Sequence, residues 1–344
     1  MKKLFALLTV VLFAGFVMAQ NTATVTESGN LNKATVTQTG SNDVVVDQLN
    51  STSNTATVTQ TGSNEAYLTQ GMVENYYSAP YNISTNMPAS NNLGTINQLG
   101  TDNYLEIVQV GDNNDGSINQ DGDGNIGYIY QGWPFGFWGE TAVTSALSNS
   151  NGVVDIKQVG VDNQGYVWQY GGTGNKVNIY QDGNSNVSQI AQGFIYDDAN
   201  YDFTHPVYNT VGNYAEVNQY GDDNIGKAFQ LGNDNSFELT QNGNGNTVGG
   251  RGLSGLEASR NGYFAQDGNG NIFVGEQNNG ATLDDASFQF GDGNNIDLLQ
   301  GVGDNALIQQ SGNVNTANVY QLGGGQDASV IQTGNSNTAT VTQQ

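Results

Sequence analysis

The sequence is dominated by one short repeat that runs almost from end to end. Residues 32–38 read NKATVTQ, and the variants NTATVTQ, NYAEVNQ and NTANVYQ occupy 54–60, 213–219 and 315–321. The shared unit is N-x-[AVIG]-x-[VI]-x-Q-x-G-x-x-N, and its closing glutamines most often lie 11 residues apart. A fixed period of this kind is typical of stacked, quasi-one-dimensional folds, so it constrains the architecture more than any other feature.

Each unit alternates with period two between Asn, Ala, Val and Gln and a second set that is often threonine. In a β-strand this alternation puts the first set on one face and the second set on the other. The Gly-x-x-Asn that follows is turn chemistry, because Gly adopts positive φ and Asn tolerates it. Each unit therefore predicts one short strand and one tight turn.

One such strand cannot bury its inner face alone, but stacked units can. We therefore predict an all-β fold, a β-solenoid with two short strands per coil of about 22 residues and about twelve coils in cross-β stacking. Inward Asn and Gln would form ladders of amide hydrogen bonds, because an unpaired buried amide costs free energy. The predicted ladder residues are Asn32, Gln38, Asn54, Gln60, Asn103, Gln109, Asn213, Gln219, Asn315, Gln321, Asn337 and Gln343.

The composition excludes several function classes. The chain has 8 Lys+Arg against 32 Asp+Glu, a net charge of −24, one His and no Cys. Sites that need cysteine are impossible, and an acidic surface has the wrong sign for nucleic acid. We expect no cofactor, no metal centre and no nucleic-acid partner.

The first residues have the pattern of a secretory signal peptide. Lys2 and Lys3 precede an apolar run over 4–18, and Val17 and Ala19 occupy the −3 and −1 positions of a cleavage site. The run is shorter than the roughly 20 residues that a membrane-spanning helix needs. We expect a signal peptide over 1–19 and a secreted chain over 20–344 that does not span a membrane.

Longer gaps interrupt the repeat and predict loop insertions near 72–91, 133–150 and 193–212, with a further long gap between Gln241 and Gln266. The regular spacing predicts that the insertions leave from one edge after every second coil. They hold all four prolines, which fits loops because proline cannot donate to a strand ladder. Their aromatic residues either cover one flank or form an interaction surface. The candidate interaction residues are Tyr76, Tyr77, Trp133, Phe135, Phe137, Trp138, Tyr196, Tyr201 and Phe203.

The two ends of the repeat array carry the same six residues, NTATVT, at 21–26 and 337–342. Solenoids that stay monomeric usually end in atypical polar caps, and these ends show none. Uncapped strands can pair with another chain. We therefore expect polymerisation edges at Ala23 and Val25 at one end and at Ala339 and Val341 at the other.

The N-x-A-x-V-x-Q strand with its Q-x-G-x-x-N turn resembles the curlin repeat, found in subunits of curli, the bacterial extracellular functional amyloid. The resemblance implies a secreted homopolymer at the cell surface, in biofilm matrix and adhesion, with a curli-type secretion pore and a nucleator as partners. It leaves open whether the chain is the major subunit, a nucleator or an accessory subunit. The alternative is a soluble, monomeric β-solenoid adhesin that binds glycan or surfaces through its aromatic loops.

Three other activities have weaker support. DGDGN at 121–125 and DGNGN at 267–271 resemble calcium loops, but calcium-binding β-rolls have a nine-residue period. Asp197 and Asp198 near His205 form the best candidate for an acid–base pair, with no motif to fix it. Rows of T-x-T at 22–26 and 55–59 suggest ice binding, but the middle of the chain breaks them. We therefore expect a structural protein rather than an enzyme.

Overall fold

The computed structural model describes residues 21–71, 89–132, 149–193, 210–249, 264–284 and 286–344. The expected signal peptide and all nine candidate interaction-loop residues lie outside this part of the chain. Every regular element in the described residues is a β-strand, so the all-β prediction is confirmed. Strands related by two repeat units pair in parallel, as a β-solenoid requires.

One column of strands, here called stack A, begins at the second repeat unit. Its pairs join equivalent residues of successive coils, for example Val36 with Val58 and Gln38 with Gln60. Its strands are β2 (Lys33–Gly40), the first part of β4 (Thr55–Gln70), the first part of β6 (Leu93–Gln109), β8 (Asp115–Asp123), β11 (Val153–Val161), β14 (Lys176–Asp182), β16 (Tyr214–Tyr220), β18 (Ser236–Asn242), β21 (Ile272–Asn278), β24 (Asn295–Val302), β26 (Thr316–Gly324) and β28 (Thr338–Gln343).

The second column, stack B, alternates with stack A along the chain. It consists of β1 (Thr22–Asn30), β3 (Asp43–Thr52), the second parts of β4 and β6, β9 (Ile126–Gln131), β12 (Gln164–Gln169), β15 (Val187–Gln192), β17 (Ile225–Leu231), β19 (Thr247–Val248), β20 (Phe264–Asp267), β22 (Thr282–Leu283), β23 (Phe288–Phe290), β25 (Asn305–Ser311) and β27 (Asp327–Thr333). Short strands line one corner between the stacks, namely β5 (Ala89–Ser90), β7 (Gly111–Asp112), β10 (Asn149–Ser150) and β13 (Gly172–Thr173).

The core lies between the two stacks and is built from the inward positions of the repeat. Buried side chains at these positions include Val58, Ile118, Ile156 and Val217. The alternate residues of each strand face outward. Each fully buried aliphatic side chain contributes about 1.5–3 kcal/mol. Alternation with period two is therefore sufficient to assign the buried face of almost every strand.

Glycines of the Q-x-G turns are required by the close approach of successive coils. Gly100 has a φ of 118°, and a β-carbon there would lie 2.0 Å from the carbonyl oxygen of Gly122 in the next coil. Any side chain at this position would separate the two coils. The glycine is therefore a condition for stacking as well as for turning.

The insertions leave the described structure from one place in the coil. The described residues stop after Gly71, Gly132 and Gly193, each directly behind a glutamine that ends a stack B strand. The fourth long gap differs from these three. Residues 250–263 separate β19 from β20, which pair side by side with the single strand β17, so this segment divides a strand instead of following one.

Candidate assembly edges and amide ladders

The closing glutamines of each stack form a continuous row of side-chain hydrogen bonds. In stack A each Nε2 donates to the Oε1 of the glutamine in the next coil, from Gln38 to Gln60 at 3.1 Å and onward to the last bond, from Gln321 to Gln343, at 3.1 Å. The members of this row are Gln38, Gln60, Gln98, Gln120, Gln158, Gln181, Gln219, Gln241, Gln277, Gln300, Gln321 and Gln343.

Stack B carries a parallel row that begins at Gln48 and ends at Gln332. Its members are Gln48, Gln70, Gln109, Gln131, Gln169, Gln192, Gln230, Gln266, Gln289, Gln310 and Gln332. Backbone carbonyls fix the direction of both rows, because most Nε2 groups also donate to the opposite stack, as Gln38 does to the oxygen of Thr22 at 3.1 Å. The glutamine donors therefore all point toward the C-terminal end of the solenoid.

The asparagines that open each unit form ladders of the opposite polarity. The backbone N–H of Asn54 donates to Oδ1 of Asn32 at 3.2 Å, and that of Asn337 donates to Oδ1 of Asn315 at 3.0 Å. A backbone N–H can only donate, so it fixes Oδ1 toward the C-terminal end. The stack A ladder loses its side chain at Gly152, whose N–H still donates to Asn114.

The predicted ladder residues divide between these rows. Asn103 and Gln109 belong to stack B, and the other ten belong to stack A. Eight of the twelve are buried, whereas Asn32, Gln38, Asn337 and Gln343 are half-buried because they belong to the first and last coils.

The predicted edges lie at the two ends of the solenoid. Among the described strands, β1 and β2 pair only on their C-terminal side, and β27 and β28 pair only on their N-terminal side. Val25 is 46% exposed, and Ala339 and Val341 are half-buried and pack against the core. The inward apolar face of each terminal coil is thus open to solvent.

The stack B ladder has a defect at the N-terminal edge. Glu27 occupies the glutamine position and pairs in register with Gln48. Gln48 donates away from it, to Gln70 at 2.8 Å and to the Lys33 oxygen at 3.3 Å. Its buried Oε1 has no partner among the described residues, because an ionised carboxylate has no proton to donate.

A cluster of tyrosines covers part of the outer face of stack B. The rings of Tyr128 and Tyr166 lie 5.2 Å apart and nearly parallel, so their faces stack along the solenoid axis. Burial raises the pKa of Glu106 beside them, and the Tyr130 hydroxyl, which donates to Oε2 at 3.0 Å, opposes part of that rise. Burial and then Glu106 also raise the pKa of Tyr104.

The two segments that resemble calcium loops span the last residues of β8 and β20 and the turns that follow these strands. Asp123 accepts from the backbone N–H and the hydroxyl of Thr101, both at 2.8 Å. No group of three metal-ligating side chains occurs in the described residues. The same part of the chain contains no helix of the length and hydropathy needed to cross a bilayer.

Sequence reasoning missed a third type of ladder, which runs along the turns. Asn184 N–H donates to Asp222 Oδ1 at 2.8 Å, and Asp222 N–H donates to Asn244 Oδ1 at 2.9 Å. The signal was present in the frequent Gly-Asn and Gly-Asp pairs. The exceptional place of Glu27 was also visible, as the single acidic residue in a column of glutamines.

The comparison with protein families agrees with this geometry. The profile of the curlin associated repeat matches residues 153–183, 212–243 and 312–344. The chain is a curlin-repeat protein. Proteins of the curlin-repeat family are structural subunits rather than enzymes. Curated proteins gave no match to this curlin-repeat chain.

Proposed function

We propose that the chain is a secreted structural subunit of a curli-like extracellular amyloid fibre, in biofilm matrix and surface adhesion. Copies would stack head to tail through β1–β2 and β27–β28, with a curli-type pore for export and a nucleator as partners. A body of about twelve coils would add about 55–60 Å to the fibre per copy. Cleavage of the expected signal peptide would remove Lys2 and Lys3 and change the net charge from −24 to −26, and this charge would keep secreted monomers apart before nucleation.

The observation that carries this proposal is the open inner face at both ends. The inward residues of β28 are Ala339, Val341 and Gln343, and those of β2 are Ala34, Val36 and Gln38. A second copy placed on the C-terminal edge would therefore meet side chains of the same size as those within each stack. Stacking would also pair the backbone N–H and C=O groups that are unpaired at each edge. Such unpaired groups are what allows an edge strand to pair with another chain.

The test is seeded elongation of residues 20–344, followed by electron microscopy and fibre diffraction. We expect filaments that seed and a reflection at about 4.7–4.8 Å. Val25→Lys and Val341→Lys should abolish elongation, because each would bury a charge at the junction. Thr24→Lys and Thr340→Lys are the matched controls, since they face outward on the same strands.

A stable monomer that never elongates on seeds would contradict the fibre proposal. It would favour the monomeric adhesin instead. Binding to glycans or surfaces should then be lost on Trp133→Ala and Trp138→Ala, while Val25→Lys and Val341→Lys should bind normally.

A further inference from the structure

Glu27 is costly where it stands within its own chain. Its register partner Gln48 is fully buried and presents Oε1, an acceptor, toward the first coil. Both oxygens of an ionised carboxylate also only accept. Two acceptors therefore face each other in a ladder where each other Oε1 receives a hydrogen bond from the coil before it. A glutamine at position 27 would donate to Gln48 and complete the row. A favourable partner for the carboxylate must therefore lie on the side of Glu27 that faces away from Gln48.

That side of Glu27 is the open edge of the solenoid, where the carboxylate needs a hydrogen-bond donor. The opposite edge supplies such donors. Gln332 Nε2 donates to the backbone carbonyl oxygen of Thr316 at 2.9 Å, and Gln343 Nε2 donates to the backbone carbonyl oxygen of Asp327 at 3.0 Å. Glutamines inside the ladders donate their second Nε2–H to the glutamine of the next coil. Gln332 and Gln343 lie in the last coil, so their second N–H faces the open edge. The C-terminal edge thus ends in amide donors.

We infer that Glu27 is a specificity-determining residue for self-assembly, whose carboxylate accepts a hydrogen bond from Gln332 of a second copy of this chain. The pairing rests on the self-assembly proposed above. It places β1 of one copy on β27 of the next, so that Ala23 follows Ala328 and Val25 follows Val330. A hydrogen bond to an ionised acceptor is about twice as strong as one between neutral groups.

The neighbouring rows fit the same arrangement. With β2 on β28, Gln343 Nε2 meets Oε1 of Gln38, and the backbone N–H of Asn32 meets Oδ1 of Asn337. Two N-terminal edges would instead oppose acceptors from both glutamine rows, and two C-terminal edges would oppose donors. The carboxylate makes the first of these mismatches worse, because it adds like charge. Glu27 therefore helps to restrict each N-terminal edge to a C-terminal edge.

The two last glutamines give a matched test of this pairing. Gln332→Lys and Gln343→Lys place the same cation on the same terminal coil, and both lose the acceptor for the glutamine below. Only the ammonium introduced by Q332K would face a carboxylate across the junction, whereas the one introduced by Q343K would face the neutral Gln38. In seeded elongation we expect Q332K to remain within about threefold of wild type and Q343K to be slower by about tenfold or more.

A charge exchange provides a second test that does not depend on how either lysine variant folds. Gln332→Glu should slow elongation by about tenfold or more, because two carboxylates would meet at the junction. Adding Glu27→Lys should restore the rate, since the ammonium at position 27 can then donate to the carboxylate at position 332. Equal losses in Q332K and Q343K, or no recovery in the double variant, would overturn the pairing. Wild-type seeds that fail to elongate at all would instead refute the fibre proposal itself.

Discussion

Asp304 Oδ2 accepts a hydrogen bond from the backbone N–H of Gly301 at 2.8 Å. Its Oδ1 accepts another from the N–H of Gln326, also at 2.8 Å, and the residue is fully buried in a row otherwise rich in asparagine. The register of stack A shifts beside this point, between Gln300 and Val302, and there the chain presents an N–H to Asp304. Two acceptors are needed here, which an aspartate supplies and an asparagine cannot.

Asp304→Asn should therefore destabilise the solenoid although it restores the repeat consensus. The new Nδ2 would oppose the Gly301 N–H and leave a buried donor unpaired, at a cost of about 1–3 kcal/mol. Urea unfolding of the monomer measures this. The control is Asp292→Asn, because exposed Asp292 accepts through Oδ1, which asparagine retains. Equal midpoints for D304N and wild type would contradict the two-acceptor account.

The aromatic core near the fourth gap predicts a large cavity effect. Phe273 is fully buried, and its ring stacks on that of Phe237 with the centroids 4.9 Å apart. The ring of Phe264 is tilted against it, with a centroid distance of 4.5 Å. Phe273→Ala should cost about 3–5 kcal/mol in unfolding free energy. Ile272→Ala on the same strand should cost far less, because Ile272 is 43% exposed. Similar losses in the two variants would show that this region is not packed as described.

Replacing an interior ladder glutamine should destabilise the solenoid even when the new side chain is apolar. Gln158 accepts from Gln120 at 2.9 Å and donates to Gln181 at 2.8 Å, and it is fully buried. Gln158→Leu would leave a buried donor and a buried acceptor unpaired, at about 1–3 kcal/mol for each group. Hydrogen exchange should show the largest loss of protection in β8, β11 and β14. Lys157→Leu, which changes the adjacent outward residue, should leave protection there nearly unchanged.

Glu106 should make stability depend on pH. Its pKa is raised by burial, so the folded state holds the proton more tightly than the unfolded chain does. The stability contributed by Glu106 is complete below its ordinary pKa and is lost as the pH rises through the raised value. Glu106→Gln should therefore be more stable than wild type at pH 7, and the difference should vanish below about pH 4.

Tyr130→Phe gives the counterpart to that experiment. It removes the hydroxyl that lowers the pKa of Glu106, so the pKa should rise further. The loss of stability should then extend to higher pH than in wild type. Urea midpoints measured from pH 4 to pH 8 would reveal it, and an unchanged profile would exclude Glu106 as its source.

The repeat predicted the fold class because equivalent residues contact one another. Once Gln38 and Gln60 occupy the same place in the unit, the parallel register follows with no knowledge of distant residues. Two of the features that sequence reasoning missed lie where the chain departs from the repeat. The need for a carboxylate at Asp304 depends on a local register shift, and the divided strand around residues 250–263 depends on where a loop begins.

The candidate edges were foreseeable as strands, but their direction was not. Polarity depends on which amide atom faces which end, and backbone groups of the opposite stack decide that orientation. The sequence displays Glu27 as a deviation, yet its consequence appears only when Gln48 is seen to present an acceptor toward it.

Each coil presents donors and acceptors to the next in the same places, and Gly100 against Gly122 shows how little room there is for any other spacing. A pair of units can therefore be added or removed where the repeat is regular, and the coils on either side can still pair. The length of the solenoid therefore changes in whole coils, each of which adds about 4.8 Å along the axis. A chain built this way can change its reach without redesigning its interior.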